Sequence, residues 1–117
     1  MRGSPHISTL RKRAEFLAVA ASGKKWVAPG FILQIGDPHE AAATLRYGFT
    51  ATKTIGNAVT RNRAKRRLRA LAHEIMPHAS PGRDYVFIAR MNTPACPFDD
   101  LRQELIKGLK RMKVWAD

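Results

Sequence analysis

The chain has 117 residues, 44% of them hydrophobic, and 21 Lys and Arg against nine Asp and Glu, for a formal net charge of +12. That length supports one modest core and not two, and the apolar content excludes a wholly disordered basic tail. The single cysteine, Cys96, excludes an internal disulfide framework and a cysteine-built metal site, fitting a reducing cytosol, and no run reaches the roughly 18 apolar residues of a membrane span.

Residues 1–8 carry one arginine and no apolar segment, so they read as a flexible N-terminus or a cloning remnant, leaving 9–117 as a single domain. From Thr9 to Ala21 the spacing predicts a helix with Leu10, Phe16, Leu17, Ala20 and Ala21 mostly to one side, capped by Ser8 or Thr9 and ended by Gly23. A short strand is expected at 24–27, a break at Pro29-Gly30, and a strand at 31–36 in which Phe31, Leu33 and Ile35 share a face. "HEAAAT" is a surface connection. At 45–52 the chain alternates again, Leu45, Tyr47, Phe49 and Ala51 against Arg46, Gly48, Thr50 and Thr52. An antiparallel hairpin of these two neighbouring strands is the simplest pairing.

Asn57 is a good N-cap for a helix that Pro77 stops after Met76. "YVFIAR", 85–90, is apolar on both sides and predicts a central buried strand. A last helix is expected at 97–115, with Leu101, Leu105, Ile106, Leu109 and Met112 at helical spacing. The order α-β-β-β-α-β-α predicts an α+β domain, a four-stranded sheet packed with helices.

The charge is not spread evenly. No Asp or Glu occurs between Glu40 and Glu74, a window holding Arg46, Lys53, Arg61, Arg63, Lys65, Arg66, Arg67 and Arg69. Turning about 100° per residue from Leu68 places Ala64, Leu71, Ala72 and Ile75 within about 60° of it as the core stripe. Asn62, Arg63, Arg66 and His73 fall opposite, Arg67 and Arg69 lie on the flanks, and Arg61 and Lys65 sit nearer the stripe. Like charges at (i, i+3) and (i, i+4) repel, so an external polyanion is the expected partner. A merely solvated face would more often carry acids among its bases. Five arginines to one lysine across residues 61–69 favour bidentate phosphate contact, and the helix keeps its apolar face for the core, which argues against a membrane surface.

"KTIGNAVTRNRAKRRLR", with its arginine-asparagine-arginine centre, resembles the signature of the bacterial ribonuclease P protein subunit. The flanks agree: "LRKRAEFLAVAASGK" is similar to that family's first helix and glycine turn, "LRYGFTATK" to the strand before the motif and "GRDYVFIAR" to the strand after it. The resemblance spans residues 9–115. It implies a left-handed crossover between the strands flanking the basic helix, against the usual preference, and a ribonucleoprotein that removes the 5′ leader from precursor tRNA with its catalytic centre in the RNA. It further implies that Arg61, Asn62, Arg63, Lys65, Arg66 and Arg69 contact the RNA subunit. A cleft with Phe16, Lys53, Arg11, Lys12 and Arg13 would hold the single-stranded leader, and many relatives carry further aromatics there, where this chain has Ala20 and Gln34. Phe16 reads equally as a core residue of an amphipathic helix, and Phe31, Phe49, Phe87 and Trp115 read as core.

Metal-assisted cleavage of RNA needs clustered carboxylates, and the nine acids here are scattered, so Mg²⁺ is expected to be bound by RNA and not by this chain alone. His73, Glu74 and His78 are the only local grouping for acid/base chemistry, and Pro77 separates them. His6 and His39 read as surface residues, and Cys96 is no nucleophile by its setting. The expected partners are the RNA subunit and precursor tRNA, bound by a cytoplasmic monomer in a 1:1 complex, with no membrane and no small-molecule cofactor. The rivals are a ribosomal or general RNA-binding protein and a membrane-surface protein.

Overall fold

The computed structural model describes residues 6–38 and 44–116. His39 and most of the "HEAAAT" connection lie outside the described residues. The elements are β1 (His6–Thr9), α1 (Arg13–Ala21), β2 (Lys24–Val27), β3 (Phe31–Ile35), β4 (Thr44–Thr50), α2 (Ala58–Ile75), β5 (Asp84–Ala89) and α3 (Phe98–Arg111). Short 3₁₀ turns precede and follow α2, at Lys53–Ile55 and Met76–His78.

The sheet has five strands in the order β1-β4-β5-β3-β2, one more than expected. The addition is β1, which runs parallel to β4 with Ile7 beside Leu45 and Thr9 beside Tyr47. Residues 6–8 are thus part of the fold and not a loose N-terminus, because pairing there satisfies backbone groups that β4 would otherwise leave bare along the sheet edge. The same pairing starts α1 late: Ser8 and Thr9 lie in the sheet, Lys12 is the N-cap, and the Glu15 carboxylate accepts the backbone N–H groups of Arg11 and Lys12 at 3.0 and 2.8 Å.

The expected β3–β4 hairpin does not form. β5 lies between them, antiparallel to β3 and parallel to β4, so α2 is the crossover joining two parallel neighbours. The reason lies in β5 itself. Tyr85, Phe87 and Ala89 bury one face and Val86 and Ile88 the other, and only a central position covers both. The antiparallel hairpin is instead β2–β3, closed around Pro29-Gly30 by the Ala28 N–H donating to the Phe31 carbonyl at 2.9 Å.

The main core lies between the sheet and α2 with α3. It joins Phe31, Leu33, Ile35, Leu45, Tyr85 and Phe87 to Ala64, Leu68, Leu71, Ile75, Leu101, Leu105 and Leu109. Burying that many large side chains at about 25 cal/mol per Å² is the dominant stabilising effect. α1 covers part of the other face through Val19 and Phe16, together with Leu10 of the segment that leads into it. Its expected apolar side is corrected there, since Val19 is the buried helical residue while Leu17, Ala20 and Ala21 are exposed. α3 ends at Arg111, short of the expected 115, because Lys113 turns left-handed at φ 62° and Trp115 bridges back to Ala79.

Candidate nucleic-acid interface

Two surfaces carry the chemistry that the sequence singles out. The first is the outer side of α2. Gly56, at φ 144°, turns the chain out of β4, and the Asn57 side chain accepts the Thr60 N–H at 2.9 Å to start the helix. The core stripe is Ala64, Leu68, Leu71, Ala72 and Ile75. Asn62, Arg63, Arg66 and Arg69 are exposed. Arg61 and Lys65 are half-buried, and the Arg61 guanidinium donates to the Gly56 carbonyl at 2.8 Å, so part of its charge braces the turn.

The two flanking arginines diverge. Arg67 points toward α3, donating to the Cys96 carbonyl with its guanidinium 5.9 Å from the Phe98 ring. Arg69 leans the other way, 5.7 Å from the Phe49 ring on β4, and stays open to solvent. The outward set is therefore Arg63, Arg66 and Arg69 at (i, i+3) spacing with Asn62 beside them, and Arg67 is an anchor of the helix.

The acids lie elsewhere. Glu15 and Asp84 are held by Arg46, Asp99 and Glu74 by Arg102, and Asp37 by Lys24. Hydrogen bonding to Arg102 keeps the Glu74 carboxyl below its ordinary range, so it is no base for His73. Burial pushes the Cys96 thiol up, away from the reactive thiolate. Among the described residues no three His, Cys, Asp or Glu side chains gather as metal ligands.

The second surface is the sheet face that α1 leaves partly open. Phe16 lies on the backbone of Gly48, where an added Cβ would come 2.6 Å from its Cζ. That glycine is what leaves room for the far end of the ring against the strand. Gln34 pairs with Val86 on the same face and is half-buried, and Ala20 stands exposed one helical turn beyond Phe16. Lys53 is exposed in the turn just past β4, and Arg11, Lys12 and Arg13 are exposed at the start of α1. Phe16 is thus the aromatic laid against this face, and Lys53 and Arg11 to Arg13 are exposed cations in the segments that leave β4 and enter α1.

Sequence reasoning put Thr50 on this face but missed Val27, Ile32 and Ile88, which share it by strand register; none of the four is fully buried. It missed the clamp as well. Arg46 donates to both Asp84 oxygens at 2.9 and 2.6 Å and to Glu15 at 2.7 Å, which fixes α1 over β4 and β5. Bonding to Asp84 raises the Arg46 pKa further, and the N–H groups of Lys12 and Arg11 hold the Glu15 carboxyl below its ordinary range. Alternation along β4 put Arg46 opposite the core, but no local signal pairs it with residues 31 before and 38 after. Trp26 packs on the other side of the sheet, against Gly108 of α3. Phe31 and Phe87 are core, and Phe49 and Trp115 pack at its margin.

A one-domain α+β fold with an exposed arginine row free of acids is the make-up of a nucleic-acid-binding protein. Comparison with known proteins narrows this. The family model described as Ribonuclease P matches residues 5–113. The ribonuclease P protein component of Paramagnetospirillum magneticum is 48% identical over 110 residues, covering 91% of this chain and 83% of that protein. That of Ruegeria pomeroyi is 40% identical over 111 residues, with 93% and 89% covered. Among solved structures, the Staphylococcus aureus RNase P protein superposes with a TM-score of 0.71 at 25% identity, covering 92% of this chain and 96% of that one. The Thermotoga maritima protein gives 0.69 at 26%, with 89% and 96% covered. The chain belongs to the ribonuclease P protein family.

Proposed function

We propose that this chain is the protein subunit of ribonuclease P, assisting removal of the 5′ leader from precursor tRNA. The observation that carries this reading is the outward row Arg63, Arg66 and Arg69, which has no acid beside it within a chain of this family. Docked on the RNA subunit, the row releases counterions and lowers repulsion between the two RNAs. The groove under α1 takes the single-stranded leader, with a base against Phe16 and phosphates near Lys53 and Arg11 to Arg13. Stacking on an aromatic ring is worth about 1–3 kcal/mol per base.

The catalytic centre in this proposal belongs to the RNA. The paired acids Glu15 with Asp84 and Glu74 with Asp99 are each occupied by an arginine, and in this reading the ion takes RNA phosphates as ligands. The subunit acts in the cytoplasm as a monomer bound one to one with its RNA, and among the described residues no helix is long and apolar enough to cross a membrane. Cleavage of precursor tRNA at low Mg²⁺, by the RNA subunit alone and with protein added, tests the proposal. Acceleration by the protein supports it. Binding to RNA without any gain in cleavage would leave a general RNA-binding protein in its place.

A further inference from the structure

We infer that the C-terminal half of α3 forms a second RNA-backbone contact, separate from the face of α2. Between Ile106 and Val114 the chain carries Lys107, Lys110, Arg111 and Lys113 and no acid, and all four are exposed. Lys107, Lys110 and Arg111 fall three and four residues apart on one side of the helix, where with Gln103 and Ile106 they line a shallow groove. None of the four has an acidic partner among the described residues. Cations in the last turn of a helix are favoured by its dipole, and this accounts for Lys110 and Arg111. It does not account for Lys107, which precedes that turn, or for Lys113, which lies beyond the helix.

Lys113 is a second observation. It is the one non-glycine residue among the described set with positive φ, at 62°, where glycine or asparagine would be the relaxed choice. A charged residue is thereby held in a turn that Trp115 braces, stacked 5.4 Å from the His78 ring on one side and capped by the Lys110 ammonium at 5.4 Å.

The patch is also set apart. α2 runs about 18 Å from Arg63 to Ile75 at 1.5 Å per residue, and the Ala79–Trp115 bridge places the end of α3 beyond that far end. Between the two faces sits the ion-paired group Glu74, Arg102 and Asp99, two acids to one base. Two cationic surfaces divided by an acidic group suit two segments of a folded RNA. Apolar contact is scarce, with Ile106 half-buried and Trp115 occupied by its neighbours, so a lipid surface has nothing to insert.

The inference rests on RNA being the partner, and the test separates the two. Affinity of the full chain for its folded RNA subunit is measured against KCl for the wild type, for Lys107→Ala/Arg111→Ala and for Arg63→Ala/Arg66→Ala. Hydroxyl-radical footprints are taken in parallel. The α3 pair should lower the slope of log affinity against log salt by about 1.4–1.8 for two lost phosphates, lower thermal melting by no more than the small helix-dipole contribution of Arg111, and expose RNA nucleotides different from those that the α2 pair exposes. Unchanged slope and footprint in the α3 pair, with the α2 pair weakened, would overturn the second contact alone. No effect from either pair would overturn RNA docking as a whole. Loss of binding to phosphatidylglycerol vesicles with RNA affinity intact would overturn it in favour of a membrane.

Discussion

Arginines three and four residues apart on α2 should behave as different kinds of residue. Arg63 and Arg66 are exposed and touch no acid, so replacing both by alanine removes charge that the fold does not use. Their removal also relieves like-charge repulsion of a few tenths of a kcal/mol per pair. Melting of the double variant should be unchanged or slightly raised. Its affinity for the RNA subunit should fall, and the salt slope should drop by about 1.4–1.8 for two phosphates released. Across a fourfold rise in salt, from 50 to 200 mM, the gap between wild type and variant therefore narrows about 7- to 12-fold. Arg67→Ala should do the reverse. It forfeits a charge-assisted bond to the Cys96 carbonyl and a contact with the Phe98 ring, together worth about 1–2 kcal/mol at this half-buried site. The salt slope should stay put while the melting temperature drops. Filter binding across a KCl series with parallel thermal melts decides it. The reasoning fails if Arg67→Ala flattens the salt dependence as much as the pair, or if the pair unfolds the domain.

Gly48→Ala should lift Phe16, since the new Cβ would sit 2.6 Å from its ring. We expect a loss of about 1–3 kcal/mol from overpacking and weaker binding of leader-bearing substrate with mature tRNA unaffected, by equilibrium binding to the holoenzyme. Arg46→Met should loosen α1 by removing the guanidinium that links Glu15 to Asp84, seen as faster amide exchange across Arg13–Ala21 than in β5. Glu15 also predicts a pH effect. Its pKa is lower folded than unfolded, so its contribution is complete above the ordinary value of about 4.3 and fades as pH falls through the lowered one. Urea midpoints between pH 3 and 6 should fall on the acid side in the wild type and fall less in Glu15→Gln.

Much of this protein could be read along the chain because the signals involved are local. Alternation in 31–35 and 45–50 defined the core faces of β3 and β4, the helical period separated the stripe of Leu68 from Arg63 and Arg66, and Asn57 announced where α2 begins. The run of arginines declared a polyanionic partner with no structure at all. Pairing between distant segments was not legible in the same way. β5 displaced the expected hairpin because a strand apolar on both faces gains most in the middle of a sheet, an outcome set by competition among all strands at once. Residues 6–8 became an edge strand only because β4 had backbone groups to offer them. Arg67 left the basic row for the Cys96 carbonyl, and Arg46 gathered two carboxylates far off in sequence. Periodicity says which side of an element is wet or dry, but the partner waiting there depends on how the whole chain closes, and only tertiary structure decides that.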